Sequence, residues 1–498
     1  MGARLAPLQD GLLPERSRGA FLRRHSLPAV AATAAVLTLL GTLLLAAGIR
    51  TVQALPHYFW PIVSRFRPDF VVVGLTLLVA GAGAVWALDS RRSARRRVTG
   101  AVVAFLALEY GMAFAEGRGV EGLRDRALLS GHAEFAVTAS RPESWWTVLR
   151  DYESYVQSAD LPYARSKPPG QLLLYAGAGK IAHWVMPRLW NSPPARPELV
   201  RSARHLELVN FLTLFLPLLA SLTLWPLFRL GEIFGGKEVG VYAALLFAFV
   251  PQVVLVQLHF DQALYPLLAT MQALLTVRAF TAPARRLAWA AAAGATHWLA
   301  CFVSFSLLPA VAFSVVLALS VALPGKAPNR RELLAALGVL TGTVGLLAAS
   351  FYGAFDYNPV IAYRRALAHH IGFKRWTDAM RWECAGLGFA ELFYWAGAGL
   401  GLLFLVGVTR ALWRGRRGHL DTPAWAALGV LAVLLATALM GRTVGEFARL
   451  WLFMIPSVAL VAAMTLQLCG PPRRWLLAAL LACQATWIVS LKLLQDFW

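Results

Sequence analysis

Acidic residues and cysteines are both scarce in this chain. Its 498 residues include 26 Asp and Glu against 47 Lys and Arg, and only four Cys. Cys301, Cys469 and Cys483 fall within or at the ends of apolar runs, and Cys384 reads as a lone loop residue, so neither a disulfide framework nor a metal-finger spacing is possible. No His-Glu-x-x-His or comparable ligand set occurs, so no tightly bound metal is expected, with dependence on a loosely held divalent cation left open. Internal repeats, low-complexity linkers and an appended soluble domain are also missing. Charged residues make up only 15% of the chain.

What is abundant is apolar. The chain is 58% hydrophobic, with a mean hydropathy of +0.58, and its apolar residues run in stretches of roughly 17 to 25, which soluble cores do not need. The fold class is therefore all-α, a polytopic integral membrane protein. A net charge of +21 would suit nucleic acid if it lay on one soluble face, but the Arg residues form short clusters between apolar runs, as at Arg91 to Arg97, Arg410 to Arg417 and Arg473 with Arg474. Such clusters anchor the cytoplasmic ends of helices, so membrane lipid is the expected partner and nucleic acid is not.

About thirteen spans fit the pattern, from residues 28–49 to residues 475–492. The first follows Arg16, Arg18, Arg23 and Arg24 and is too long for a signal-peptide core, so it reads as a retained helix with a cytoplasmic N-terminus. With this count every basic cluster falls inside and four loops fall outside: residues 116–169, Gln257 to Asp261, residues 354–388, and Gly441 to Arg449. Residues 170–187 are apolar enough to cross, but a crossing there would move every later basic cluster outward, so this segment is expected to lie in-plane or re-enter.

The outer loops hold the candidate chemistry. The first carries Glu134, Asp151 and Glu153 and closes on Ser166-Lys167-Pro168-Pro169-Gly170, where two prolines bias Lys167 toward an extended, aimed conformation. A carboxylate at a membrane face can serve as general base toward a hydroxyl, and a cation can hold a phosphate leaving group; the same acids can also be solvated charges paired with Arg141 and Arg150. Asp261 precedes a helix and reads equally as an N-cap or as a second acid facing the cavity. Glu446 and Arg449, three apart, either neutralise each other or present a guanidinium fork to phosphate. The basic and aromatic stretch from Arg364 to Trp382, with Arg365 and His369, suits an interfacial helix on anionic headgroups or a lid over a lipid phosphate.

Taken together, an acid-bearing first outer loop closed by Lys-Pro-Pro resembles the GT-C superfamily of polyprenyl-phosphate-sugar-dependent glycosyltransferases. The likeness is to bacterial members related to protein O-mannosyltransferases and to the aminoarabinose transferase of lipid A. His259-Phe260-Asp261-Gln262, Gly445-Glu446-Phe447-Ala448-Arg449 through Pro456, and Phe355-Asp356-Tyr357-Asn358-Pro359 through His370 resemble further segments of that superfamily. The resemblance covers roughly residues 98–470, leaving residues 1–97 as an N-terminal addition with two helices and residues 471–498 as a final helix.

It implies an inverting glycosyltransferase of the cell envelope. The sugar, a hexose or a pentose, would pass from a polyprenyl-phosphate carrier to a glycan, lipid or protein hydroxyl at the outer face of the cell membrane. Glu134 is the expected base, with Asp151, Glu153 and Asp261 as further acids. Lys167 and Arg449 are the expected phosphate clamp, with Glu446, Arg365 and His369 beside them. A polyprenyl-linked glycan flippase is the alternative, although a flippase needs no long acid-bearing outer loop and transporters commonly show paired repeats.

Overall fold

The computed structural model describes the chain outside residues 1–18, 63–68, 116, 130, 132, 142–144, 159–160, 191, 256–259, 324–328, 374, 442, 444, 470–472 and 496–498; for residues 19–27, 126, 147, 158, 260, 261 and 373 it describes the backbone alone. The described residues form α-helices and short 3-10 turns, with no named strand. Among the described residues ten helices are long and apolar enough to cross a membrane, so the protein is membrane-embedded.

One of those ten, Ala203–Ala248, is two arms. Gly235 and Gly236 leave helical geometry, Gly236 at φ 82, and the arms fold back until Gly231 meets Gly240, where a Cβ would lie 2.6 Å from the opposite Cα. Only glycine tolerates both the positive φ and that approach. A second break is Gly397 at φ 80, which divides the expected span at 389–408 into Met380–Ala396 and Ala398–Gly415. Cys384, expected in a loop, is instead fully buried inside the first of these helices.

Basic clusters gather at one end of the bundle. Arg97 is buried, bonds Glu238 at 2.5 and 3.0 Å and donates to the Ala87 carbonyl; Arg286 pairs with Glu332; Arg410 and Arg414 pair with Asp421. Each pair ties one helix end to another. Asp421 is also the N-cap of Thr422–Leu439, its carboxylate accepting from the Ala424 N–H at 3.0 Å.

The other end carries the loops. Helix Pro169–Leu189 lies across it, because both of its ends meet the same end of the bundle. At its start Gly170 abuts the Phe302 carbonyl, near the end of Arg286–Val303 farthest from Arg286. Past its far end, Ser192 and Pro193 are held by Arg124, whose helix Val120–Leu129 follows the non-basic end of Ala94–Phe114. The exposed side of this lateral helix carries Lys180, Ile181, Trp184 and Arg188, while Tyr175, Ala178 and Ala182 are buried on the other.

Candidate active site

The described residues of the first outer loop include four short helices, Val120–Leu129, Ala133–Ala139, Trp145–Arg150 and Tyr152–Ser158, before the turn Ala164–Ser166. Arg124 anchors this assembly. Fully buried, it bonds Asn210 Oδ1 at 3.0 Å and Glu121 at 2.6 Å, reaches the carbonyls of Ser192 and Pro193, and stacks 3.9 Å from the Trp190 ring. A guanidinium satisfied on so many sides makes a rigid base for the loop above it.

Glu134, in the first turn of its helix, accepts from the Ala164 backbone N–H at 2.6 Å. This bond brings the acid to the turn that ends in Lys167. Tyr152 holds the same turn from beneath: its buried hydroxyl lies 3.3 Å from the carbonyls of Ala164 and of Lys167. Burial, together with nearby Glu153, Tyr357 and Glu134, lifts the Tyr152 phenol well above its ordinary range, so it stays a neutral donor.

Lys167 is extended, at φ −126 and ψ 151, as the prolines after it demand. Its ammonium donates to the Tyr265 hydroxyl at 3.2 Å and lies 5.9 Å from the centre of that ring. The Tyr265 hydroxyl in turn reaches Ser304 Oγ at 2.8 Å, and both residues are fully buried. An ammonium can only donate, so the phenol oxygen accepts and its hydrogen turns to Ser304. Neither partner was marked by the sequence. Tyr265 lies one helical turn beyond Asp261 on Phe260–Thr281, a spacing that offered a signal, whereas Ser304 offered none.

Helix Pro359–Phe373 packs against the Ala164–Ser166 turn. Arg365 lies 3.6 Å from Glu153, and His369 Nε2 meets the Pro162 carbonyl at 2.9 Å. Burial raises the Glu153 carboxyl above its ordinary value, and the Arg365 guanidinium offsets part of that rise. Asp151 is exposed. The side chain of Asp261 is outside the described residues, although its backbone sits in the first turn of Phe260–Thr281.

Glu446 and Arg449 form a second centre. Arg449 Nη2 donates to Glu446 at 2.5 Å, with 12% and 13% of the two side chains exposed, and Glu446 adopts a left-handed φ of 56 directly after Gly445 at 65. The following turn Leu452–Met454 packs on Phe260–Thr281, the helix that also receives Lys167 through Tyr265. Another acid stands here that sequence reading missed. Glu391, on Met380–Ala396, is fully buried and accepts from the Ala448 N–H at 3.2 Å. It sits inside an apolar run, a place where an ionisable residue is costly and therefore informative.

Among the described residues no three His, Cys, Asp or Glu side chains gather into a metal-binding group. No family model matches the chain, and no curated protein matches it. Among solved structures it is similar to the oligosaccharyltransferase of Archaeoglobus fulgidus, crystallised with zinc and sulfate, at 17% identity and a TM-score of 0.39. That likeness covers 64% of this chain and 44% of the other, so the chain spans less than half the length of that protein.

Proposed function

We propose that this chain is an inverting glycosyltransferase of the GT-C kind, which moves a sugar from a polyprenyl-phosphate carrier to a hydroxyl of a glycan, lipid or protein. The basic end of the bundle faces the cytoplasm and the loop end faces the outside of the cell membrane, as the positive-inside bias requires. The observation that carries the reading is the 2.6 Å bond from the Ala164 N–H to Glu134, which sets a carboxylate beside the turn that aims Lys167.

In the reaction the acceptor hydroxyl attacks the anomeric carbon and its proton passes to Glu134. The bond from that carbon to the phosphate oxygen breaks, and the electron pair leaves with the polyprenyl phosphate. Because phosphate is an adequate leaving group once its charge is met, the protein supplies mainly a base and cations. Lys167 meets the charge as a point ammonium; Arg449, oriented by Glu446, offers a fork. Arg365 and His369 support this site by pinning Pro359–Phe373 over the acid loop, through Glu153 and the Pro162 carbonyl.

Glu134→Gln tests the assignment, because the amide oxygen can still accept from Ala164 while the basicity is gone. Sugar transfer should fall about 100-fold or more with donor binding retained, the effect expected when a general base is lost. Unchanged turnover would remove Glu134 from the reaction, and loss in Asp151→Asn or Glu153→Gln instead would move the base along the loop.

A further inference from the structure

Gly441 and residues 445–451 are gripped at four places by residues far from them in sequence. The Trp376 indole N–H donates to the Gly441 carbonyl at 2.6 Å. Gly445 is pressed against the His57 carbonyl, where a Cβ would come within 2.7 Å, and His57 is itself held at 3.1 Å by Glu383. Glu391 accepts from the Ala448 N–H. One turn earlier on the same helix face, Gly388 receives the rings of Phe447 and Trp451, which a Cβ would meet at 2.8 Å.

Two of these grips come from one helix and act on four residues, Phe447–Leu450, whose first N–H groups have no partners within so short a helix. Gly388 lets Met380–Ala396 come close, and Glu391, three residues on, catches the exposed backbone. An apolar side chain would have filled the space at position 391 at lower desolvation cost. The carboxyl group therefore serves the turn, and the turn's one guanidinium is Arg449.

We infer that Glu391 is a positioning residue for Arg449: by fixing the start of Phe447–Leu450 beneath the left-handed Glu446, it holds the guanidinium where a lipid phosphate is met. This rests on the phosphate-clamp reading proposed above and extends it to a residue buried behind the clamp.

The test uses full-length protein purified in detergent, with sugar-free polyprenyl phosphate as the probe and thermal stabilisation as the readout beside donor KM and kcat. Glu391→Leu removes the acceptor, and Glu391→Gln restores one as an amide oxygen. The expected result is a rise in donor KM and in apparent Kd of about tenfold for Leu, kcat within about threefold of wild type, and recovery in Gln, the size that loss of one well-placed contact to an ionic ligand produces. If Glu391→Leu does not fold, Gly388→Ala disturbs the same docking from the other grip and should raise donor KM in the same direction. Stabilisation of wild type kept in full by whichever of these variants folds overturns the role of Glu391 alone. Absence of any stabilisation of wild type overturns the clamp reading, and this inference with it.

Discussion

Asp421 at the basic end and Glu153 at the loop end are both part-buried acids facing an arginine, and they titrate in opposite directions. Burial raises both. At Asp421 the two-oxygen contact with Arg410, at 2.8 and 3.5 Å, together with Arg414 and the Ala424 N–H, overcomes burial and holds the carboxyl below its ordinary value. At Glu153 the single approach of Arg365 at 3.6 Å does not, and the carboxyl stays raised. Distance and the number of donors decide the sign.

The contrast extends across the molecule. Acids of the basic end bind guanidinium groups and join helix ends, which fixes topology. Several acids of the loop end also take backbone N–H groups: Glu134 that of Ala164, Glu121 that of Ala195 beside the Arg124 guanidinium, and Glu391 that of Ala448. Those bonds shape turns, and the turns carry Lys167 and Arg449.

After the loss of Glu134, the largest effects should come from breaking the loop end at its cations. Lys167→Ala should lower kcat/KM for the donor roughly 10-fold to 100-fold, the range for a lost charge-assisted contact, and Arg449→Lys, which keeps the charge but not the fork, should fall at the lower edge of that range. Tyr265→Phe keeps the ring beside Lys167 and deletes one neutral hydrogen bond, so about a fivefold loss is expected. A Tyr265→Phe loss as large as that of Lys167→Ala would make the tyrosine a reacting group and not a support.

At the basic end the outcome should divide the other way. Arg97→Ala removes the guanidinium from Glu238, which is partly exposed and keeps Arg474 nearby, and from the Ala87 carbonyl, so stability should drop by about 1 to 3 kcal/mol, less than when one partner of a fully buried pair is removed. The fraction that stays folded should turn over at the wild-type rate. Denaturation and transfer assays on one preparation check both halves.

The smallest expected effect is in the pH dependence of stability. Because the folded Glu153 pKa is raised, the folded state holds the proton more tightly than the unfolded chain. The Glu153 contribution therefore declines as pH rises through the ordinary Glu value of 4.5 toward the folded one. Asp421, depressed, contributes above its ordinary value of 3.8 and loses that contribution as pH falls through the folded pKa. Melting curves should show Glu153→Gln gaining on wild type as pH rises, and Asp421→Asn losing less against wild type as pH drops below about 4. Parallel curves for both variants would mean that the two acids do not differ.

Much of this architecture was legible from composition and charge order. Apolar runs located the helices, the Arg clusters marked one end, and the same clusters required residues 170–187 to stay at the other, which fits a helix whose two ends meet Phe302 and Arg124. The extended backbone at Lys167 followed from its prolines; the Glu446 to Arg449 pair was expected from helical spacing, and it forms with Glu446 in the left-handed region just before the helix. What stayed hidden depends on contacts between distant residues. Lys167 and Tyr265 are 98 residues apart and Glu391 and Ala448 are 57 apart, and no local pattern announces such pairs. In the loop between the first two helices His57 packs against Gly445 and Gln53 bonds the Tyr394 hydroxyl at 2.7 Å, contacts that tertiary packing alone settles.

Transfer by the purified protein in detergent tests the central claim most directly, because sidedness is lost there and a flippase would have no activity to display. Given a panel of polyprenyl-phosphate sugars and outer-face acceptors, the protein should form a glycosidic bond, with inversion at the anomeric carbon, and release polyprenyl phosphate. Failure to form any such bond, with proteoliposomes of the same protein moving the lipid-linked sugar across the bilayer, would contradict the glycosyltransferase reading.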